Sequence, residues 1–308
     1  MTIEGFIGTV WSARLLENLQ KSLVFGQPGV INRDYEGEIS GKGSTVKITS
    51  IGDITVGNYT KDSDISDPEA LNDAQATLTA TEAKYFNFSV DDVSRAQMSN
   101  NIMDAAMRQA AYNLSDVADQ FIAGSSYVDV ATANKIGSDT AGKVPNTTPG
   151  TTAYDYLLQM GTKLSEANVQ KQGRWVVVPP WFVEKLAADA RFTDASASGS
   201  TDALLNGSVK RAAGFDILES NNVPTVAGSG GDAGKTNYKI IAGVPSAITF
   251  ADSVNKVEAY RPDKRFADAV KGLHVYGMKV VRPSALALLT ARATTLVIQN
   301  GKRCFNGK

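Results

Sequence analysis

Two segments of the chain alternate apolar and polar residues as strands do, and the twenty or so residues between them are mostly polar and acidic. Residues 46–56 ("VKITSIGDITV") and 78–90 ("LTATEAKYFNFSV") have a period of two, the second placing Phe86, Phe88 and Val90 on one face. Between them stands the polar, acidic "GNYTKDSDISDPEALNDAQAT". Hairpin loops in compact domains hold only a few residues. A connection this long predicts an excursion that carries function or lies on a partner.

The start of the chain makes the same demand. Phe6, Val10, Trp11, Leu15, Leu19 and Leu23 fall at helical spacing with charges between them, and the turn-rich "FGQPGVINRDYEGEISGKGS" follows. An apolar stripe with no local cover predicts an arm that docks elsewhere; a helix packed on its own domain would explain it equally well. From Asp91 or Asp92 a helix is predicted to run to Gly124, its stripe formed by Met98, Ile102, Ala106, Ala110, Leu114, Val117, Phe121 and Ile122. At 1.5 Å per residue, its roughly 30 residues span about 45 Å, which makes it a backbone element of the fold.

Further on, residues 125–152 are polar, and a helix is predicted over 153–169. "RWVVVPPWFVEKLAADARF" reads as a buried strand, a proline corner and an amphipathic helix, with Pro180 in its first turn and Trp181, Phe182, Leu186 and Phe192 turned to a core. "GFDILESNNVP" is a strand and turn, and "YKIIAGVPSAITFAD" a strand, a turn and a short buried segment. Residues 256–261 and 270–282 form long strands joined by "PDKRFAD", and "SALALLTARATTLVIQNGK" supplies a last one.

Signals for chemistry are weak throughout. Lys and Arg number 31 against 32 Asp and Glu, which removes any global electrostatic ground for binding nucleic acid or an anionic membrane. No apolar run approaches the roughly 18 residues of a membrane helix. The start carries Glu4 and lacks the basic region of a leader, so the chain is expected to be made in a cytosol-like compartment. The lone Cys304 excludes an internal disulfide framework and, with the lone His274, a zinc site built from Cys and His. His274 lies inside a strand and is read as structural, and no GxSxG elbow occurs to supply a nucleophile.

The motif-like stretches fail on context. "DSDISDPEALND" has Asp67 where a calcium loop needs glycine and Asp73 where it needs a bidentate Glu. "GSGGDA" matches the dinucleotide pattern but leads into the strand-like "NYKIIAG", so it is read as a flexible loop; "GKGST" is a turn before a strand. Asp116 and Asp119 are the carboxylate pair a hydrolase could use, but three residues apart on one helix they are expected to make cap contacts or face solvent. Pro179 and Pro180 remove two backbone donors where a phosphate would want them. "YRPDKRF" is a solvated turn or, more sharply, an ion-pairing element across an interface. No cofactor and no metal is expected.

The order of these pieces resembles a known family. "VINRDYEGEISGKGSTVKI", "VGNYT", "FNFSVDDVSRAQ", "RWVVVPPWFVEKLAADARF", "LLNGSVKRAAGFDILESNNVP" and "VEAYRPDKRFADAVKGLHVYGMKVVRP" together resemble the major capsid (coat) protein of tailed bacteriophages, with the shell fold typified by phage HK97. The resemblance covers nearly the whole chain. It implies an α+β, HK97-like capsid fold: an N-terminal arm at 1–36, and a first peripheral part at 37–150 with an extended β-hairpin loop (about 46–88) and a spine helix (about 91–124). An axial α/β domain at 151–252, long peripheral strands at 253–283 and a C-terminal segment at 284–308 returning to the axial domain complete it.

The same resemblance implies a chain without enzyme activity that self-assembles into pentameric and hexameric capsomers, forming an icosahedral shell around viral double-stranded DNA. Such a chain resides in the virion after assembly in the host cytoplasm, meets a portal protein at one vertex, admits scaffolding and decoration proteins as further partners, and has no membrane partner. Inter-subunit contacts are expected at Trp11, Ile54, Tyr59, Lys61, Arg261 and Arg265. Two rival readings stand beside it: an encapsulin-type compartment shell of the same fold, and a carboxylate-dependent hydrolase from a different class.

Overall fold

A computed structural model describes residues 24–36, 38–39, 41–51, 73–91, 102–146, 148–189, 211–264 and 266–293, together with Val56, Asn58, Lys61 and Asp64. The predicted arm stripe, the start of the long helix, the C-terminal residues beyond Ala293, and Ile54, Tyr59, Phe192 and Arg265 lie outside the described residues. Helices and strands occupy mixed positions along the chain, and two compact units emerge. One gathers Ile31–Ala118 and Ile248–Val281; the other gathers Val24–Val30, Asp119–Ala247 and the chain from Arg282.

In the first unit, strand β1 (Thr45–Ile51) pairs antiparallel with β2 (Asp73–Thr79), from Thr45 opposite Thr79 to Ile51 opposite Asp73. Strand β3 (Glu82–Asp91) follows after a break at Ala80 and Thr81. The segment predicted as one strand, 78–90, is therefore two. Its halves join different sheets, because β3 turns away to pair with β11 (Ala267–Val280), which also pairs with β10 (Ile248–Tyr260). Both long strands are longer than the sequence pattern predicts: β10 starts at Ile248 and β11 at Ala267. At about 3.3 Å per residue β11 is some 46 Å long.

Helix α1 (Ile102–Ser126) is the long helix. Asp91 is a residue of β3 and cannot cap it, and Gly124 lies inside it two residues before its end. Met107, Ala111 and Leu114 of α1 pack on Val257 and Val270, with Phe86 and Phe88 against the same cluster. Gly272 makes room for this packing, since a Cβ there would stand 2.6 Å from Phe86 Cζ.

The second unit is built on a seven-stranded mixed sheet in the order β4-β12-β9-β5-β7-β6, with β8 on β9. Its strands are β4 (Lys135–Ile136), β5 (Trp175–Val178), β6 (Arg211–Ala212), β7 (Phe215–Glu219), β8 (Thr225–Ala227), β9 (Thr236–Gly243) and β12 (Leu286–Ala291). β5 and β12 are buried along their whole length, as strands covered on both faces must be.

Helix α2 (Ala153–Glu166) opens with a reciprocal cap between Thr152 and Asp155 and buries Tyr156, Leu157, Met160 and Leu164. It ends three residues earlier than predicted because Asn168 takes a left-handed backbone, φ 57°. The buried Arg174 then gathers the open end: its guanidinium donates to the carbonyls of Gly161 (3.0 Å), Val169 (2.7 Å) and Gln170 (3.0 Å). The proline corner has the predicted form, with Pro180 opening helix α3 (Pro180–Ala187), Phe182 and Leu186 fully buried, and Trp181 edge-on to Phe182 and Tyr238.

Candidate assembly surface

Among the described residues no group of three or more His, Cys, Asp or Glu could hold a metal ion. Of the carboxylate pair on α1, Asp119 is committed to the fold. Asp119, 2% exposed, accepts the backbone N–H groups of Val24 (3.0 Å) and Phe25 (2.7 Å) and the side-chain amide of Asn222 (3.0 Å). It pins the incoming chain to the helix, so of the two roles expected for it the structure selects the contact and not the solvent-facing one. "GSGGDA" is not a flexible loop. Buried Asp232 binds the Gly142 N–H and Arg292, and the 3-10 turn Gly230–Asp232 leads into β9, where a dinucleotide fingerprint would open a helix. What the described molecule offers instead is a set of rooted projections.

The first projection is the β1–β2 hairpin. Ile39, Val46, Ile48, Leu78 and Ala80 close over Ala251 and Val275, burying its base. Gly43, at φ +88°, makes the turn into β1, and its N–H donates to the Ala80 carbonyl (2.9 Å) while Ala80 N–H donates to Ser44 (3.0 Å). Across the base runs β11, with Gly277 at the crossing: a Cβ there would collide with the Thr79 carbonyl oxygen and stand 2.9 Å from Ala80 Cα. Of the described positions in the excursion beyond, Val56 is 93% exposed, and Lys61 and Asp64 are exposed.

The segment leading to that hairpin is clasped to β10. Asn32 bridges Thr249 in parallel, donating to the Ile248 carbonyl (2.9 Å) and accepting from Phe250 N–H (2.9 Å). Arg33 reaches Asp252 (3.1 Å), binds Glu36 and lies 5.8 Å over the Phe250 ring. His274 Nε2 stands 3.2 Å from the other Asp252 oxygen. Burial opposes the charge on Asp252, but the hydrogen bond from His274 and the positive Arg33 outweigh it and hold its carboxyl below the usual value. Glu36 goes the other way, raised by burial and by the nearby Asp252 against the pull of Arg33.

The β10–β11 turn is the second projection. Phe266 is 81% exposed there, and Arg261 stands 3.9 Å from Asp268 with both side chains well exposed, a pairing worth little in water. Below the turn, the sheet face turned away from α1 carries Lys271 between Glu258 (3.0 Å) and the Tyr260 ring (5.0 Å), while Tyr260 donates to Asn87 (3.2 Å). Hydrogen bonding to Lys271 lowers the Glu258 pKa. Tyr85, 77% exposed, projects beside them.

Of the contact residues expected from the sequence, Lys61 lies in the excursion beyond the first hairpin and Arg261 in the turn of the second; Trp11, Ile54, Tyr59 and Arg265 fall outside the described residues. Sequence reasoning missed the Arg33–Asp252–His274 clasp. Its signal was available in principle, since Asp252 opposite Tyr276 and Val254 opposite His274 make Asp252 and His274 diagonal neighbours on one sheet face, but only once the strand register is known.

A sequence model of the family described as phage capsid protein matches residues 73–289. No curated protein sequence matches the chain. Among solved structures, one from Mycobacterium phage Che8 is 28% identical and covers 87% of this chain and 90% of that chain, with a TM-score of 0.64. The capsid of the cyanophage P-SCSP1u is 16% identical and covers 88% of this chain and 89% of its own, with a TM-score of 0.69. An encapsulin complex from Synechococcus elongatus PCC 7942, 13% identical over 87% and 88% of the two chains, has a TM-score of 0.52 and shares the fold.

Proposed function

The chain belongs to the phage capsid protein family and is a shell-forming major capsid protein of HK97-like fold, and from that premise we propose how it closes its shell. Copies associate as pentamers and hexamers into an icosahedral particle around viral double-stranded DNA. The β1–β2 excursion lies across a neighbouring subunit, the region 151–252 turns its tip to the capsomer axis, and the β10–β11 turn meets a further copy through Phe266 and Arg261. Assembly takes place in the host cytoplasm with a portal protein at one vertex, and the chain performs no catalysis.

The observation that carries this reading is the contrast along one hairpin: Leu78 at its base is 0% exposed and Ile48 6%, while Val56 beyond it is 93% exposed. A projection rooted that firmly, with an apolar residue so far from cover, suits a contact made by another molecule. The other described projection, the β10–β11 turn, is likewise rooted in a sheet. Modest contacts of this kind, repeated over many copies, give a stable closed particle while each remains correctable during assembly. The encapsulin likeness favours no cargo compartment over a virus shell, because it extends to the fold alone.

Deleting residues 54–72 tests the role of the excursion. The deleted chain is expected to fold, with the wild-type circular dichroism spectrum, and to fail to close into particles. Normal particles from it would overturn the assignment.

A further inference from the structure

Strand β3 pairs with β11 at all ten of its residues, without a bulge. Its other edge meets no strand among the described residues, because the sheet order is β10-β11-β3. Along that edge runs a groove of about 730 Å³ whose far wall is α1. Every residue from Ala83 to Ser89 borders it, from both faces of the strand, so the groove opens on the strand's backbone and not over one face. At about 3.3 Å per residue those seven residues make a slot roughly 23 Å long.

An exposed edge is a row of unmet donors and acceptors, and proteins blunt such rows with charge, proline or a bulge. Here Glu82 and Lys84 hold an ion pair (3.0 Å) at the start of the strand, with Lys84 bordering the groove. Tyr85–Ser89, "YFNFS", follows with no charge and no proline. Tyr85 is 77% exposed, and Asn87 and Ser89 are exposed. The chemistry that fits such an edge is another extended strand.

The residues of the edge suit their own reverse. About Asn87, an antiparallel copy of "YFNFS" sets Phe86 opposite Phe88, Tyr85 opposite Ser89 and Asn87 opposite Asn87, with no like charges facing. Phe86 and Phe88 of both strands then stay on the α1 side, where the small Ala106 and Ala110 line the groove and leave room for rings. Asn87 Oδ1 accepts from Tyr260 (3.2 Å), which leaves the amide N–H groups to donate across the pair. A closed icosahedral shell of identical copies contains two-fold contacts, and a two-fold contact needs a patch complementary to itself.

We infer that two copies of the chain join β3 to β3 antiparallel across a two-fold axis at Asn87, extending two three-stranded sheets into one of six strands. Five facing pairs give about four to six backbone hydrogen bonds, a contact weak alone that gains weight by repetition over a shell. The inference rests on the icosahedral assembly proposed above and adds the surface through which two copies meet.

The test is made in closed particles of the full-length chain with its native thiol removed by Cys304→Ser. Asn87→Cys puts one thiol on each side of the axis, within disulfide reach of its own counterpart. Lys42→Cys, exposed on the turn before β1, is the control. Mild oxidation should link most Asn87→Cys chains into dimers and stop there, leaving the control largely monomeric. No dimers from Asn87→Cys, or equal linkage from the control, would overturn the pairing while the shell stands; an unsubstituted chain that forms no particles would remove both. Charge gives a second readout. Asn87→Glu and Asn87→Lys, each expressed alone, oppose like charges at the axis and should lower particle yield at least tenfold with the wild-type circular dichroism spectrum, and co-expressing the two should restore it. Unimpaired single variants, or co-expression no better than either alone, would contradict the pairing, because a role of Asn87 confined to its own subunit gains nothing from the second variant.

Discussion

At Asp252 one largely buried carboxylate serves two side chains, Arg33 and His274, that arrive from different stretches of chain. Its folded pKa lies below its ordinary value of 3.8, so its contribution to stability is fully present above about pH 4 and disappears as pH falls through the lower, folded value. Asp252→Asn should lower the stability of dissociated subunits at neutral pH by about 2–4 kcal/mol, because Arg33 and His274 then lose a charged partner in a half-dry site. It should also flatten the acid limb of stability below pH 4. Urea denaturation at a series of pH values checks both, and a variant with the wild-type acid limb would show that Asp252 does not hold the clasp. The sequence announced none of this. "VINRDYEGE" stands out by resemblance, but its physical reason, a segment bridged to β10 by Asn32 and locked by Arg33, depends on contacts across more than two hundred residues.

Elements were easier to read than their partners. The long helix, the buried β5, the proline corner and the two long strands were all legible, since each has an apolar pattern longer than a chance run. The break between β2 and β3 was not, because "LTATEAKYFNFSV" keeps its alternation through the point where the chain changes sheets. What separates the two strands is a tertiary crossing: β2 ends where Thr79 and Ala80 pass over Gly277 of β11. Gly277→Ala should therefore cost about 1–3 kcal/mol, since the atoms met are backbone and cannot rotate away. Hydrogen exchange would localise the loss to 45–51 and 73–79, leaving α2 and β12 protected as before; a loss spread evenly over the chain would refute the crossing as the hairpin's anchor. The contact residues of the assembly surface were the least legible feature, since apolar exposure at Val56 or Phe266 appears only when the rest of the chain has chosen its core.

The whole molecule joins a fold shared with phage capsids to a surface of rooted hairpins, with no metal-binding cluster among the described residues. A near-neutral chain, 31 basic residues against 32 acidic, brings little long-range repulsion to the meeting of many identical copies. The exposed Phe266, Tyr85 and Val56 then supply short-range apolar contacts once copies meet. This chain builds a closed shell from itself, and electron microscopy of the full-length protein expressed alone, with scaffolding partners added if it remains dispersed, is the experiment that checks it. Closed particles of uniform diameter whose surface shows five- and sixfold clusters are the predicted result. A protein that stays monomeric under both conditions, or forms only irregular aggregates, would contradict it.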